Sequence, residues 1–284
     1  MLLTPSSRAF LQGPLPIAFA HRGGSQLWPE NTMLSFEGAV GLGCRYLETD
    51  VHLTKDGVLV TIHDATVDRT TDGSGLVRAL LLAELKRLDA GYRFSPDGGG
   101  TYPFRGEGAT IPTLAEVVEA FPRVSLNVDL KRHDVAMVEA MAAFIEERGL
   151  HDRLLIASFA DGIIKAFRLR TAGRVTTAAA GWETRRFWLA SRLGLSGLIR
   201  GRQVGRHSAP AYDALQVPPT MGRLTVVDRR LLAAAHRRGL QVHVWTVDEA
   251  AEMRRLLALG VDGIMSDRPD LLLEVLAEER AKPV

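Results

Sequence analysis

Glu48 and Asp50 stand two residues apart in the run Arg45–Val51, and side chains two apart on a strand point to the same face. Two carboxylates on one face of an otherwise buried strand repel unless protons or a cation lie between them. The same spacing recurs at Asp129 and Lys131, which follow the apolar run 124–128. Oxygen ligands of this kind suit one hard divalent ion, Mg²⁺ or Ca²⁺, rather than zinc. The competing reading pairs Glu48 and Asp50 with arginines at a strand rim. His21 follows the run Pro16–Ala20, and His63 follows the run Val58–Ile62. Two imidazoles at separate strand ends can share proton transfer near neutral pH, one accepting and one donating. Arg22 can clamp two phosphate oxygens in a fork, and Gly23 and Gly24 let the backbone approach an anion closely. Together these residues describe a metal-assisted site for a phosphate ester.

Other candidates are weaker. His52 shares the Glu48/Asp50 face but is expected beyond the strand end, and His133, His151, His207, His236 and His243 are expected at the surface or in packing. Asn31 or Thr32 serves either as a helix cap or in the site. Trp245 is either core or the apolar wall of a pocket. The aromatic and basic segment Trp182–Trp188 is expected to pack on the body of the protein rather than on a lipid surface.

The elements that must position these groups alternate along the chain. Eight apolar runs read as buried parallel strands: Pro16–Ala20, Arg45–Val51, Val124–Leu130, Arg153–Ala157, Arg174–Ala178, Ala214–Val217, Gln241–Trp245 and Asp262–Met265. Helical spacing falls between them at Val135–Glu147, Ile163–Arg170, Val227–Arg238 and Glu249–Leu259, ended by Gly149, Gly173, Gly239 and Gly260. Eight βα units predict an α/β fold, the (β/α)8 barrel, with the candidate residues at strand C-termini where barrel active sites are built. An open doubly wound sheet is the competitor, but His-Arg-Gly-Gly stands where its Gly-x-Gly-x-x-Gly turn belongs. Residues 65–111 break the rhythm and read as a small insertion after the second strand. The 284 residues are therefore read as one barrel domain plus that insertion.

Composition excludes several classes. With 46% hydrophobic residues the chain is not dominated by disorder, and Lys+Arg 35 against Asp+Glu 33 gives +2, which demands neither nucleic acid nor an anionic membrane. Cys44 is the single cysteine, so no intramolecular disulfide forms. With no signal-like start and no apolar run near a spanning length of roughly 20 residues, a cytoplasmic protein without an integral membrane segment is expected.

His21-Arg22-Gly23, Pro29-Glu30-Asn31-Thr32, Glu48-Thr49-Asp50-Val51, Leu53-Thr54-Lys55-Asp56-Gly57, His63-Asp64, Asn127-Val128-Asp129-Leu130-Lys131, Trp245-Thr246-Val247 and Gly260-Val261-Asp262-Gly263-Ile264 occur in this order. The pattern resembles the glycerophosphodiester phosphodiesterase family, from about Ile17 to Pro269. The resemblance implies a barrel that hydrolyses glycerophosphodiesters, as small-molecule substrates, to glycerol 3-phosphate and an alcohol with a divalent cation. It implies Glu48, Asp50 and Asp129 as metal ligands, His21 and His63 as the acid/base pair, and Arg22 and Lys131 as phosphate holders, with Asp129 where many relatives carry Glu. Similar barrels act on lipids as lysophospholipase D-type or sphingomyelinase D-like enzymes. For such a substrate Tyr92, Phe94, Tyr102 and Phe104, or the Trp182–Trp188 segment, are the expected lining of an apolar channel.

Overall fold

The computed structural model describes residues 8–204 and 207–281. Among them, eight parallel strands alternate with helices: β1 Ile17–Ala20, α1 Met33–Gly41, β2 Tyr46–Leu53, α2 Leu114–Ala120, β3 Ser125–Leu130, α3 Val135–Arg148, β4 Leu154–Ala157, α4 Asp161–Arg170, β5 Thr176–Thr177, α5 Gly181–Arg192, β6 Ala214–Val217, α6 Arg229–His236, β7 Gln241–Val244, α7 Ala250–Leu259, β8 Gly263–Ser266 and α8 Pro269–Ala281. The strands pair in the order β5-β4-β3-β2-β1-β8-β7-β6. One parallel bridge, Ala178 to Ala214, joins the two ends, flanked by Ala179 N to Ala214 O and Asp213 N to Thr177 O, both 2.8 Å. An open doubly wound sheet leaves its end strands unpaired, so this junction selects the nearly closed (β/α)8 barrel. The thin seam also explains why β5 is shorter than the expected Arg174–Ala178: it pairs with β4 at two positions and with β6 through one bridge.

Burial on both faces produces the continuous apolar runs that mark such strands. β2 is buried at all eight positions. Inside the barrel Phe10, Phe19, Tyr46, Leu155 and Met265 form one cluster. Phe10, on the turn Ala9–Leu11, meets the Tyr46 ring edge-on at 5.3 Å, and the Tyr46 hydroxyl donates to the Phe10 carbonyl at 3.0 Å. Tyr46 is the first residue of β2, so this plug closes the N-terminal end. The polar candidates occupy the other end.

Helix limits follow their caps. The Asp134 carboxylate accepts from Met137 N at 3.0 Å to start α3, and Gly149, at φ 64°, ends it in the left-handed conformation that glycine adopts at little cost. Asp228 starts α6 by accepting from Leu231 N at 2.9 Å, two residues later than the apolar spacing suggested.

Beyond β2 the chain turns back as a short strand, Leu59–Thr61, antiparallel to it with Val51 opposite Thr61. The segment that follows carries its own apolar cluster of Val67, Val77, Leu85, Ala90, Ala109 and Ile111 beneath Val60 and Ile62, and a bridge between Val60 and Thr113 returns the chain to α2.

Candidate active site

A cavity of about 170 Å³ opens at the C-terminal end of the barrel. Its lining includes all eight singled-out residues: His21, Arg22, Glu48, Asp50, His63, Asp129, Lys131 and Trp245. Seven of them stand on or just beyond β1, β2, β3 and β7. His63 follows the strand Leu59–Thr61, within the expected run Val58–Ile62, but that strand is antiparallel to β2: β2 rises past the barrel rim and the chain folds back to the pocket. His52 also departs from expectation. It lies within β2, buried, with Nε2 3.1 Å from the His63 carbonyl, where it supports the bend that delivers His63.

Each pocket histidine is held by a carboxylate. His21 Nδ1 lies 2.6 Å from Asp267 Oδ1, and His63 Nδ1 lies 2.6 Å from Asp64 Oδ1. With Nδ1–H donating to the acid, Nε2 of each ring is the nitrogen left to take up or give a proton; His21 Nε2 faces Glu48 Oε2 at 3.8 Å. Burial alone depresses the His21 basicity, but Glu48 and the Asp267 hydrogen bond outweigh it and raise the imidazole above its ordinary value. Asp267 is fixed in turn by Asp248, whose Oδ1 accepts from Asp267 N at 2.7 Å and from the Ser266 hydroxyl at 2.9 Å.

The turn after β1 is built for close approach. Arg22 (φ 51°) and Gly23 (φ 83°) are left-handed, and a Cβ on Gly23 would come within 2.8 Å of the Ser35 backbone in α1. This turn aims Arg22 N at Glu48 Oε2, 3.1 Å away, and sends the guanidinium across Asp50 to Glu30. Arg22 Nε lies 3.2 Å from Asp50 Oδ2 in a geometry too poor for a hydrogen bond, so a buried N–H is left without an acceptor. A substrate phosphate oxygen is the kind of group that satisfies it.

The carboxylates divide by their partners. Asp50 pairs with Asp129 in the β2–β3 register, and Lys131 Nζ stands between them, 3.0 Å from Asp50 Oδ1 and 2.6 Å from Asp129 Oδ2. Despite burial, Lys131 and Arg22 hold the Asp50 carboxyl below the usual range. Glu48 has no such cation in contact, and burial together with Asp50 pushes its carboxyl up to about 7. Among the described residues no three acidic or imidazole side chains already converge at metal-ligating distance. The donor set still fits a hard divalent ion: its oxygens come from three carboxylates, and among the described residues Glu48 makes no Lys or Arg side-chain ion pair, facing only the His21 imidazole.

Asn31 and Thr32 resolve into separate tasks. Thr32 forms the capping box of α1 with Ser35, whereas the Asn31 carboxamide donates to Asp50 Oδ2 at 3.0 Å and accepts from the Thr49 hydroxyl at 2.7 Å. Three contributors escaped the sequence reading. Asp267, just past β8, backs His21, and its position at a strand C-terminus was the available signal. Phe159, just past β4 and 60% exposed, meets Trp245 edge-on at 5.8 Å and so extends the apolar wall. Gln216 on β6 donates to Asn127 Oδ1 at 3.1 Å in the pocket floor.

The aromatic residues that a lipid substrate would require as a channel lining do not line this cavity. Phe94 and Phe104 pack on each other at 5.5 Å, and Arg105 stacks on Tyr92 and Tyr102, all outside this cavity. In α5, Phe187 is buried and the Trp188 indole donates to the Val226 carbonyl at 3.2 Å, while Trp182 is exposed. His243 is buried in the barrel, His236 hydrogen-bonds Asp262, and the His207 side chain lies outside the described residues.

A barrel that brings two carboxylate-backed imidazoles and two phosphate-competent cations to its catalytic end defines a class: barrel enzymes acting on phosphate esters. Within that class the chain belongs to the glycerophosphoryl diester phosphodiesterase family, whose profile it matches over residues 21–271. It is thereby a phosphoric diester hydrolase of glycerophosphodiesters. It is 34% identical over 272 residues to a probable glycerophosphodiester phosphodiesterase 2 of Mycobacterium tuberculosis, covering 94% of this chain and 93% of that one. A human lysophospholipase D is 28% identical, over 90% of this chain and 85% of its own. Among solved structures, the glycerophosphoryl diester phosphodiesterase domain of another M. tuberculosis protein superposes with a TM-score of 0.78 at 22% identity, covering 93% of this chain and all of that one; this is a likeness of fold. An Oleispira antarctica phosphodiesterase in complex with the product sn-glycerol-3-phosphate follows at 0.70 and 27%, covering 93% and 97%. Among the described residues no helix is long and apolar enough to cross a membrane.

Proposed function

We propose that the chain is a single catalytic unit that hydrolyses glycerophosphodiesters to glycerol 3-phosphate and an alcohol, with His21 and His63 as the acid/base pair and one divalent cation, Mg²⁺ or Ca²⁺, held by Glu48, Asp50 and Asp129. The observation that carries the reading is the pair of Nδ1–carboxylate contacts, both 2.6 Å, at His21 and His63. They leave two Nε2 atoms for one small pocket. The product named for the Oleispira structure supports the glycerol 3-phosphate side of the substrate. We place the activity in the cytoplasm, a reducing compartment that suits a chain with one cysteine.

Arg22 and Lys131 bind the two non-bridging phosphate oxygens and oppose the charge that grows on them as the nucleophile adds. One imidazole Nε2 takes the proton of the attacking hydroxyl, either of water, which gives glycerol 3-phosphate directly, or of the glycerol 2-position, which gives a cyclic phosphate that a water then opens to glycerol 3-phosphate. The other gives its proton to the departing alcohol oxygen as that P–O bond breaks. The cation, when bound, supplies Lewis-acid neutralisation of the phosphate. Trp245 and Phe159 form the apolar side of the pocket, which receives the non-reacting part of the substrate.

A lysophospholipid substrate is the second reading, favoured by exposed Phe159 at the mouth and exposed Trp182 nearby, whose backbone N–H reaches Asp161 at 3.0 Å. Turnover of glycerophosphocholine against lysophosphatidylcholine separates the two, and preference for the acylated substrate selects the second. For the main reading, His21→Ala and His63→Ala are each expected to lose roughly 10²- to 10⁴-fold in kcat with unchanged melting temperature, and EDTA to silence the wild type until Mg²⁺ or Ca²⁺ returns. Wild-type rates in either variant remove that histidine, and full activity in EDTA refutes the metal.

A further inference from the structure

We propose that Arg69, carried by the segment after β2 and not by the barrel, is a positioning residue that locks His63 and Arg22 into one hydrogen-bonded array. The inference rests on the reading that His63 and Arg22 serve the reaction.

All three Arg69 nitrogens are engaged. Nη1 and Nη2 donate to Glu30 Oε2 and Oε1, both at 2.7 Å, and Nε donates to Asp64 Oδ2 at 2.6 Å. The other Asp64 oxygen is the one held by His63 Nδ1, and Glu30 Oε1 also accepts from Arg22 Nη1 at 3.1 Å. The result is an unbroken line, His63–Asp64–Arg69–Glu30–Arg22, in which acid and base alternate. Its ends line the reaction pocket and its three middle members do not.

The geometry needs a guanidinium. Its planar fork grips one carboxylate with two parallel N–H groups while its third nitrogen turns to another acid; an ammonium is a point charge with no such fork. Arg69 and His63 outweigh partial burial and hold the Asp64 carboxyl down at about 2. Asp64 therefore stays anionic, keeps the proton on Nδ1 and leaves Nε2 free. On the other side, Glu30 is gripped twice and cannot draw the Arg22 guanidinium away from Asp50. Partly exposed ion pairs of this kind contribute little to stability, so the consequence of the array lies in placement.

Arg69 is reachable from solvent. A second pocket of about 510 Å³, lined by Ser25, Gln26, Arg93, Phe94 and Arg268 among others, opens onto it. A free guanidinium ion can enter there.

The test compares Arg69→Ala, Arg69→Lys and His63→Ala with the wild type on a water-soluble glycerophosphodiester, with melting temperatures as the folding control. Arg69→Ala is expected to lose about 10- to 100-fold in kcat/KM, with kcat lowered and KM raised together because the array serves both the proton-transfer and the phosphate-binding ends. Guanidinium chloride restores activity to Arg69→Ala and leaves His63→Ala unchanged. Arg69→Lys, which keeps the charge, recovers only a minor part. An inactive His63→Ala beside an Arg69→Ala of wild-type kcat and KM overturns the proposal. So does full activity in Arg69→Lys, or an Arg69→Ala defect that guanidinium does not relieve. An active His63→Ala instead overturns the functional reading beneath it.

Discussion

Asn31 shows how one backbone conformation and one carboxamide serve a buried charge. Its φ of 56° is left-handed, a region that asparagine visits more readily than other non-glycine residues. That turn lets the side chain reach β2, where it donates to Asp50 and accepts from Thr49. Asn31→Gly retains the backbone conformation and deletes the carboxamide, so Asp50 keeps its charge and loses its orientation. The expected outcome is a 10- to 100-fold rise in the Mg²⁺ concentration needed for half-maximal activity, with thermal stability little changed. An unmoved metal titration would show that Asp50 needs no such holder. The ambiguity between cap and site at Asn31 and Thr32 was real in the sequence, because Asn and Thr both cap helices. What separates them is the distance from Asn31 to a strand whose proximity no local pattern encodes. Asp267 and Gln216 escaped for the same reason: their partners lie 246 and 89 residues away. Glu48 and Asp50 were legible because their chemistry is local, two carboxylates on one strand face.

At the scale of elements, alternation of strand-like and helix-like runs specified the barrel, since buried parallel strands read as unbroken apolar stretches. It did not show that Leu59–Thr61 runs against β2, because a three-residue apolar stretch carries no direction of its own. That reversal decides where His63 goes. The helices that close each unit depend on their caps, and Asp134 offers a clean case. Its carboxylate satisfies Met137 N at the start of α3, on the connection just past Lys131. Asp134→Ala is expected to cost about 1 kcal/mol of stability, read as a lower urea midpoint at constant slope, and to leave kcat/KM within about twofold because neither Asp134 nor α3 lines the pocket. A large loss of kcat/KM at full stability would mean that the cap also sets Lys131.

For the whole molecule, the barrel interior holds a titratable group that the reaction does not use. His243 on β7 is fully buried, its ring 4.9 Å from Phe19 and its Nε2 2.9 Å from Gln241 Oε1. Burial pushes its pKa down to about 4, against an ordinary value of 6.5. Between these values the unfolded chain binds a proton that the folded barrel refuses, so stability is fully present above about pH 6.5 and drains away as pH falls toward 4. At 1.36 kcal/mol per pKa unit, the loss from this residue reaches roughly 3 kcal/mol at its limit, a large share of the 5–15 kcal/mol typical of a native protein. Carboxylates in the active site add their own pH dependence, so the measurement is a difference. Urea-unfolding free energies from pH 4.5 to 7.5, in EDTA, are compared between the wild type and His243→Leu. The variant is expected to be less stable at neutral pH, because Gln241 Oε1 loses the His243 ring as its partner. Its stability should fall less steeply on acidification, so that the two curves converge toward pH 4.5. Curves that run parallel across that window would mean that His243 takes up its proton inside the folded barrel as readily as in the unfolded chain, and that the interior is wetter than its packing implies.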